Sequence, residues 1–186
     1  QFFMSRPENF RTGEGESFWG IRIDATGKIW IGMNIGLFVI PDKNQMQADF
    51  VPLTDLNTPG VPVSIAGHED TIWTVKGSVL TRLVNGRFER IVQPQTNISA
   101  LHYDTHRKGI WICSKGKLGL LQGSSYSYIN MNPLVNDSVN HNHILQVSSD
   151  DLHNMWFLTT KEILRLDTNG NWARFAFGEH YGKKQF

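Results

Sequence analysis

Apolar and polar residues alternate over short stretches of the chain, and these stretches end at clusters of Gly, Asn, Asp, Ser and Lys. No window keeps apolar residues at i, i+3, i+4 and i+7 over several turns, the spacing of an amphipathic helix. Short alternating segments bounded by turn residues are typical of β-strands joined by hairpins. The pattern therefore predicts an all-β chain.

A tryptophan preceded by an apolar residue recurs about every 40 residues, and its copies are Trp30, Trp73, Trp111 and Trp156. A Leu or Ile stands seven and ten positions after each tryptophan: Leu37 and Ile40, Leu80 and Leu83, Leu118 and Leu121, Ile163 and Leu166. Self-similarity at this period predicts one structural unit per copy. A residue fixed at one place in every unit is expected to serve packing, so we assign the four tryptophans a structural role.

Each unit can hold four short strands, which in the third copy are expected at residues 98–103, 109–114, 118–122 and 126–130. The positions seven and ten residues after the tryptophan are separated by an odd number, so a strand directs them to opposite faces. Because both are apolar, each unit is expected to be buried on both faces, as a blade is between its neighbours in a β-propeller. The sequence predicts four consecutive four-stranded propeller blades. The expected repeats cover residues 17–55, 61–94, 97–133 and 141–177.

The first copy carries the fullest motif, Asp24-Ala-Thr-Gly27-Lys-Ile-Trp30-Ile-Gly32 followed by Gly36-Leu37-Phe38. The later copies are degenerate. The third has Asp104 and Gly109 before its tryptophan, and the fourth has Asp150. This string resembles the two-component regulator propeller repeat, whose consensus is Asp-x-x-Gly-x-Leu-Trp-Ile-Gly-Thr followed by Gly-Leu-x-Arg.

The resemblance implies the extracytoplasmic, periplasmic sensor region of a Bacteroidetes-type hybrid two-component histidine kinase that responds to oligosaccharides and controls polysaccharide utilisation. Such regions carry rings of about seven blades, so four blades would be part of one ring. Residues 1–16 would then end a preceding blade and residues 178–186 would begin the next. The implied partners are an oligosaccharide, the rest of the propeller and a second sensor chain in a dimer. Membrane contact would come only through segments outside this sequence.

Charge and composition narrow the function classes. Eighteen basic residues face seventeen acidic ones, and no basic stripe could neutralise a phosphate backbone, so we expect no nucleic-acid partner. The hydrophobic fraction of 40% indicates a globular chain. The single cysteine, Cys113, cannot form an internal disulfide.

The sequence offers few residues that could support catalysis or metal binding. Asp24, Asp104 and Asp150 precede repeat tryptophans and are expected to cap hairpins by accepting backbone amides, so no residue is assigned a catalytic role. His141 and His143 could share one strand face, but catalytic zinc needs a third protein ligand, and we expect neither metal nor cofactor. We therefore expect a non-enzymatic ligand sensor. The alternatives are the propeller portion of a glycosidase or lyase, and a protein-binding scaffold.

The loops between the second and third strands of a blade, and those leading to the next blade, share one end of a propeller. On this loop face we select Asn140, His141, His143, Lys115 and Lys161 as the ligand-binding residues.

An incomplete ring leaves the outer faces of its first and last blades uncovered. We expect these faces to expose Ile21, Ile23 and Ile31 at one end and Phe157, Leu164 and Leu166 at the other.

Overall fold

The computed structural model describes residues 3–4, 18–33, 36–42, 44, 47–51, 62–69, 71–76, 78–84, 87–91, 97–114, 117–129 and 144–177. Within these ranges every regular element is a β-strand and no helix occurs. The predicted all-β class is confirmed. No helix in the described part of the chain is long and apolar enough to cross a membrane.

In the described part of the chain, seventeen strands form four sheets. The first sheet contains β1 (Phe3–Met4), β2 (Phe18–Ile23), β3 (Ile29–Met33), β4 (Gly36–Ile40) and β5 (Gln47–Val51). The second contains β6 (Pro62–His68), β7 (Thr71–Lys76), β8 (Val79–Val84) and β9 (Arg87–Arg90). The third contains β10 (Ile98–Asp104), β11 (Gly109–Ser114), β12 (Lys117–Gln122) and β13 (Ser125–Ile129). The fourth contains β14 (Ile144–Ser149), β15 (Met155–Thr159), β16 (Glu162–Leu166) and β17 (Trp172–Ala176).

Within each sheet four consecutive strands pair antiparallel in sequence order, so every unit is a meander that we call a blade. The first blade differs from the expected four strands, because β1 adds a short strand parallel to its outer strand β5. The first strands of the four blades contact one another in order, β2 with β6, β6 with β10 and β10 with β14. These inner strands therefore lie along a common axis, which is the arrangement of a β-propeller.

Opposite faces of the two inner blades pack against different neighbours, as the spacing of the apolar positions predicts. Leu118 lies in the apolar cluster between the third and fourth blades, whereas Leu121 lies in the cluster between the second and third. In the second blade, Leu80 packs toward the third blade and Leu83 packs toward the first. Each blade interface is thus a layer of interdigitating side chains from two sheets.

The repeat tryptophans point toward the following blade. Trp30 packs with the second blade, and Trp111 is fully buried against the fourth. Trp73 is half-buried beside the third blade, and Trp156 is half-buried on the outer face of the last. Three of the four tryptophans therefore lie at blade interfaces.

The prediction for the end faces is only partly right. Ile21 and Ile23 are exposed, at 46% and 68%. Ile31 is buried in a cluster with Met33 and Phe38, and Phe157, Leu164 and Leu166 are buried against the third blade. The assignment failed at the last blade because it placed the wrong set of alternating side chains outward. The register pairs Trp156 with Arg165 and Ile163 with Phe175, and these residues form the outer face.

Candidate ligand-binding site

Three of the hairpins that precede a repeat tryptophan are built on an aspartate. In the first blade Asp24 Oδ1 accepts the amides of Thr26 and Lys28, at 2.9 and 3.1 Å, and Oδ2 accepts the indole N–H of Trp30 at 2.8 Å. One carboxylate therefore closes the turn and fixes the tryptophan that packs on the next blade.

The third and fourth blades repeat this arrangement. Oδ1 accepts two turn amides in each: those of His106 and Arg107 on Asp104, and those of Leu152 and Asn154 on Asp150. Oδ2 accepts the indole N–H of the repeat tryptophan at 3.0 Å in the third blade and 2.8 Å in the fourth. The predicted capping role of the three aspartates is confirmed.

These hydrogen bonds keep the carboxylates ionised. Burial alone would raise the pKa of Asp104, but the amide of Arg107, the indole of Trp111 and the Arg107 guanidinium lower it below its usual value. Donation by Asn154 and Trp156 lowers the pKa of Asp150 to about 2. A general acid needs a pKa near the operating pH. The aspartates are therefore suited to holding the fold rather than to transferring protons.

A cavity of about 410 Å³, here called the axial cavity, lies against the inner strands of all four blades. Its walls are Gly20, Ile21 and Arg22 of β2, Ser64 and Ile65 of β6, Ser99, Ala100 and Leu101 of β10, and Leu145, Gln146 and Val147 of β14. A concave site of this size can hold a small ligand.

Each inner strand has a bulge or register irregularity near its first residue. The register shifts fall between Phe18 and Gly20, Pro62 and Ser64, Ile98 and Ala100, and Ile144 and Gln146. A bulge inserts one residue, bends the strand and redirects a side chain. The inserted residues of the last two blades, Ser99 and Leu145, both line the axial cavity. The repeated irregularity therefore shapes this end of the molecule.

Hydroxyl groups in the axial cavity join neighbouring blades. Ser99 Oγ donates to the carbonyl of Ile144 at 2.7 Å, and Ser64 Oγ accepts the amide of Leu101 at 3.0 Å. The cavity wall is thus held in place by hydrogen bonds that cross two of the blade interfaces.

Arg22 and Gln146 supply the remaining polar side chains of the axial cavity. Arg22 is half-buried, its Nη1 donates to the carbonyl of Ile21 at 2.7 Å, and burial lowers the pKa of its guanidinium. Gln146 is exposed and offers both an amide donor and a carbonyl acceptor. Such a wall can bind a ligand rich in hydroxyl groups.

Only one of the five ligand-binding residues selected from the sequence falls in the described part of the chain. Lys161 is exposed in the hairpin between β15 and β16, and it does not line the axial cavity. That hairpin lies at the same end of the fourth blade as the cavity, because Thr159 pairs with Ile144. Asn140, His141, His143 and Lys115 lie outside the described residues. Their assignment stays a prediction.

The sequence reasoning missed Arg22, Ser64, Ser99 and Gln146. Its emphasis on loops passed over the first residues of the inner strands, where a bulge can aim a side chain at the axis. The sequence feature that could have identified these residues is their position. Each precedes the repeat tryptophan of its blade by about 8–12 residues and is separated from it by one hairpin.

Histidines of the described part do not assemble into a metal site. No group of three His, Cys, Asp or Glu residues there could hold a metal ion. His106 and His153 stack with ring centroids 4.8 Å apart, and His102 Nε2 lies 3.0 Å from Ser149 Oγ. Burial and then the charge of Arg22 lower the pKa of His102, against an opposing effect of Asp104.

No protein-family profile matches the sequence, and neither does any curated protein sequence. Solved structures do match its fold. One is the extracellular domain of a protein described as a hybrid two-component system, BT3049 of B. thetaiotaomicron, with a TM-score of 0.67, 17% identity, and coverage of 87% of this chain and 23% of that one. Virginiamycin B lyase of Staphylococcus aureus matches with a TM-score of 0.64, 16% identity, and coverage of 85% and 55%. The gluconolactonase XC5397 of Xanthomonas campestris matches with a TM-score of 0.66, 10% identity, and coverage of 86% and 61%.

The chain thus spans less than two thirds of each matched structure. Identities this low carry the fold and not the activity. The chain has a β-propeller fold, in four consecutive blades.

Proposed function

We propose that this chain is the ligand-sensing propeller portion of a hybrid two-component histidine kinase. Its place would be the periplasmic side of the inner membrane, its ligand an oligosaccharide and its output the control of polysaccharide utilisation. The remaining blades and a second sensor chain would be its protein partners. Membrane contact would be made by other segments of the protein.

One observation carries the proposal. The extracellular domain of BT3049 superposes on 87% of this chain with a TM-score of 0.67, and the repeat motif independently resembles that of two-component regulators. The axial cavity adds chemical support, because guanidinium, amide and hydroxyl groups can together bind sugar hydroxyls.

Calorimetric titration with a panel of neutral oligosaccharides tests the function and the site. We expect one member to bind, and Arg22→Met or Gln146→Ala to weaken binding about 3–10-fold, the value of one hydrogen bond. Thr168→Ala is the matched control, since Thr168 is exposed in the turn after β16, at the other end of the blade. Absence of binding across the panel would contradict the sensor function.

The role of the loop-face residues in ligand binding is tested separately. A variant with alanine at Asn140, His141, His143, Lys115 and Lys161 should lose binding if these residues contact the ligand. Full binding by that variant would reject the loop face and leave the sensor function intact.

A second candidate function is catalysis, because two of the matched structures are a lyase and a gluconolactonase. Incubation of the chain with polysaccharides and with sugar lactones, followed by chromatography of the products, distinguishes the two. Turnover would favour a propeller enzyme, whereas binding without turnover favours the sensor.

A further inference from the structure

A second cavity, of about 260 Å³, lies between the second and third blades, and we call it the seam cavity. Its walls include His68 and Glu69 at the end of β6, Tyr103 near the end of β10, and Trp73, Arg82 and Lys108. His68 lies four residues beyond Ser64 on β6, or about 13 Å along the strand. The seam cavity is therefore at the opposite end of the blades from the axial cavity.

The seam cavity exists where the repeat departs from its own pattern. At the interface of the third and fourth blades Arg107 bonds Asp104 and reaches the carbonyl of Asp167 at 2.8 Å. The second blade has a shorter turn, and within the described residues no carboxylate accepts the indole of Trp73. Among the described residues, the interface of the second and third blades shows no counterpart of the Asp–Arg bridge that closes the next one.

Aromatic rings form one wall of the seam cavity. The rings of His68 and Tyr103 stack with centroids 4.2 Å apart and planes 8° apart. Tyr103 and Trp73 stack at 5.2 Å and 15°. Three nearly parallel rings from two blades make a stiff apolar surface against which a flat or ring-shaped ligand can pack.

Arg82 places a cation in the wall of the seam cavity, across the strand pair from Glu89. Its Nε is buried and has no hydrogen-bond acceptor, and its guanidinium forms no ion pair with any described residue. A buried donor left without a protein acceptor is unfavourable, and in native proteins such a group is accounted for by a bound water, an ion or a functional role. A carboxylate entering the cavity would provide the acceptor that Arg82 lacks.

The other charged groups of the seam cavity are of both signs. Lys108 adds a second cation on the rim. Burial, and then the charges of Glu69 and Asp104, raise the pKa of Tyr103, so its hydroxyl remains a proton donor. Glu69 is exposed, and its carboxylate lies 3.6 Å from His68 Nε2.

We propose that the seam cavity binds a small carboxylate carried on a single ring. The carboxylate faces Arg82 and Lys108, and the ring packs against Tyr103 and Trp73. A volume of about 260 Å³ is slightly below the usual range of ligand sites, about 300–1,000 Å³, and suits one ring rather than a chain of sugars. Sugar acids and aromatic acids share this chemistry. The site is independent of the axial cavity and of the sensor function proposed above.

The test is calorimetric titration of the chain with glucuronate and with benzoate, each compared with its uncharged counterpart, glucose or benzyl alcohol. We expect at least one acid to bind at least tenfold more tightly than its counterpart. The better acid identifies the source of the ligand. If neither acid is preferred over its neutral counterpart, the proposal is overturned.

Arg82→Met removes the charge while keeping most of the apolar stem, and it should weaken binding of the acid at least tenfold. Arg165→Met is the matched control. Arg165 holds the equivalent place in the fourth blade and also has a buried Nε without an acceptor. Its guanidinium carbon lies 5.8 Å from the centroid of the Trp156 ring, on the outer face of that blade. The control should bind normally. Circular dichroism and thermal unfolding verify that both variants fold. Equal affinities of the two variants would reject the site even if oligosaccharide binding persists at the axial cavity.

Discussion

Gly32, Cys113 and Leu158 hold the same place in their repeats, two residues after the tryptophan, and their environments explain why the motif varies there. An added Cβ at Gly32 would contact Ile65 of the second blade at 3.6 Å, and one at Gly20 across the strand would meet the same side chain at 3.0 Å. Cys113 is fully buried against the fourth blade, whereas Leu158 is half-buried on the outer face. The size of the residue therefore follows from the neighbour it meets, and a loss of the consensus glycine need not mean a loss of the blade.

The hairpin aspartates predict how stability responds to acid. The folded state lowers the pKa of Asp24, Asp104, Asp150 and Asp167, so their contribution is present above the unfolded value of about 3.9 and is lost as the pH falls through the folded values. For Asp150 that window runs from about pH 4 to about pH 2. Urea unfolding across this range should show a steep loss of stability.

Asp150→Asn is the informative variant for this prediction, because it removes the ionisable group while keeping one oxygen for the turn amides. Its stability should depend less on pH between 4 and 2 than that of the parent protein. Asp151→Asn is the control, since Asp151 is exposed in the same turn, and it should leave the pH profile unchanged. Identical profiles for all three proteins would contradict the role of Asp150.

At the scale of the element, the strands of the third blade were predicted to within one residue. The predicted strands at 109–114 and 118–122 correspond to β11 (Gly109–Ser114) and β12 (Lys117–Gln122). These boundaries were accessible because Gly, Ser and Lys mark the tight turns. The bulges could not be predicted, because nothing in the local pattern of residues 98–100 requires an inserted residue. Seam-cavity contacts such as Tyr103 on Trp73 join residues thirty positions apart, and only the packing of two blades brings them together.

The position of a tryptophan in the blade series predicts how much it contributes to stability. Trp111 is fully buried between two blades, whereas Trp156 has no blade beyond it in the described residues. Trp111→Ala should lower the free energy of unfolding by about 3–5 kcal/mol. Trp156→Ala should lower it by less than half as much, because part of its surface is already exposed. Urea denaturation measures both, and equal losses would show that the two blade faces are equally covered.

At the scale of the whole molecule, the two end faces are unlike the three blade interfaces. Ile21 and Ile23 are exposed on the first blade, and Phe175 is 45% exposed beside Trp156 on the last. Inside the blade series the equivalent faces contribute to buried apolar clusters. A solvent-exposed apolar patch of this kind tends to recruit a partner. The sequence predicts exposed apolar positions at the two ends, but only the strand register decides which of two alternating sets of side chains faces outward.

These faces predict that the isolated chain self-associates through its end blades unless further blades cover them. Light scattering should show a mass that rises with concentration, and an exposed-hydrophobe dye should bind. Ile23→Lys and Phe175→Lys should each reduce association, because a charge on one face opposes burial of the other. Tyr128→Lys is the control, since Tyr128 is 56% exposed on the outer strand of the third blade, away from both ends. A monomer at high concentration that binds no dye would mean that the four blades already cover their own ends, and the interpretation of the chain as part of a larger ring would then be wrong.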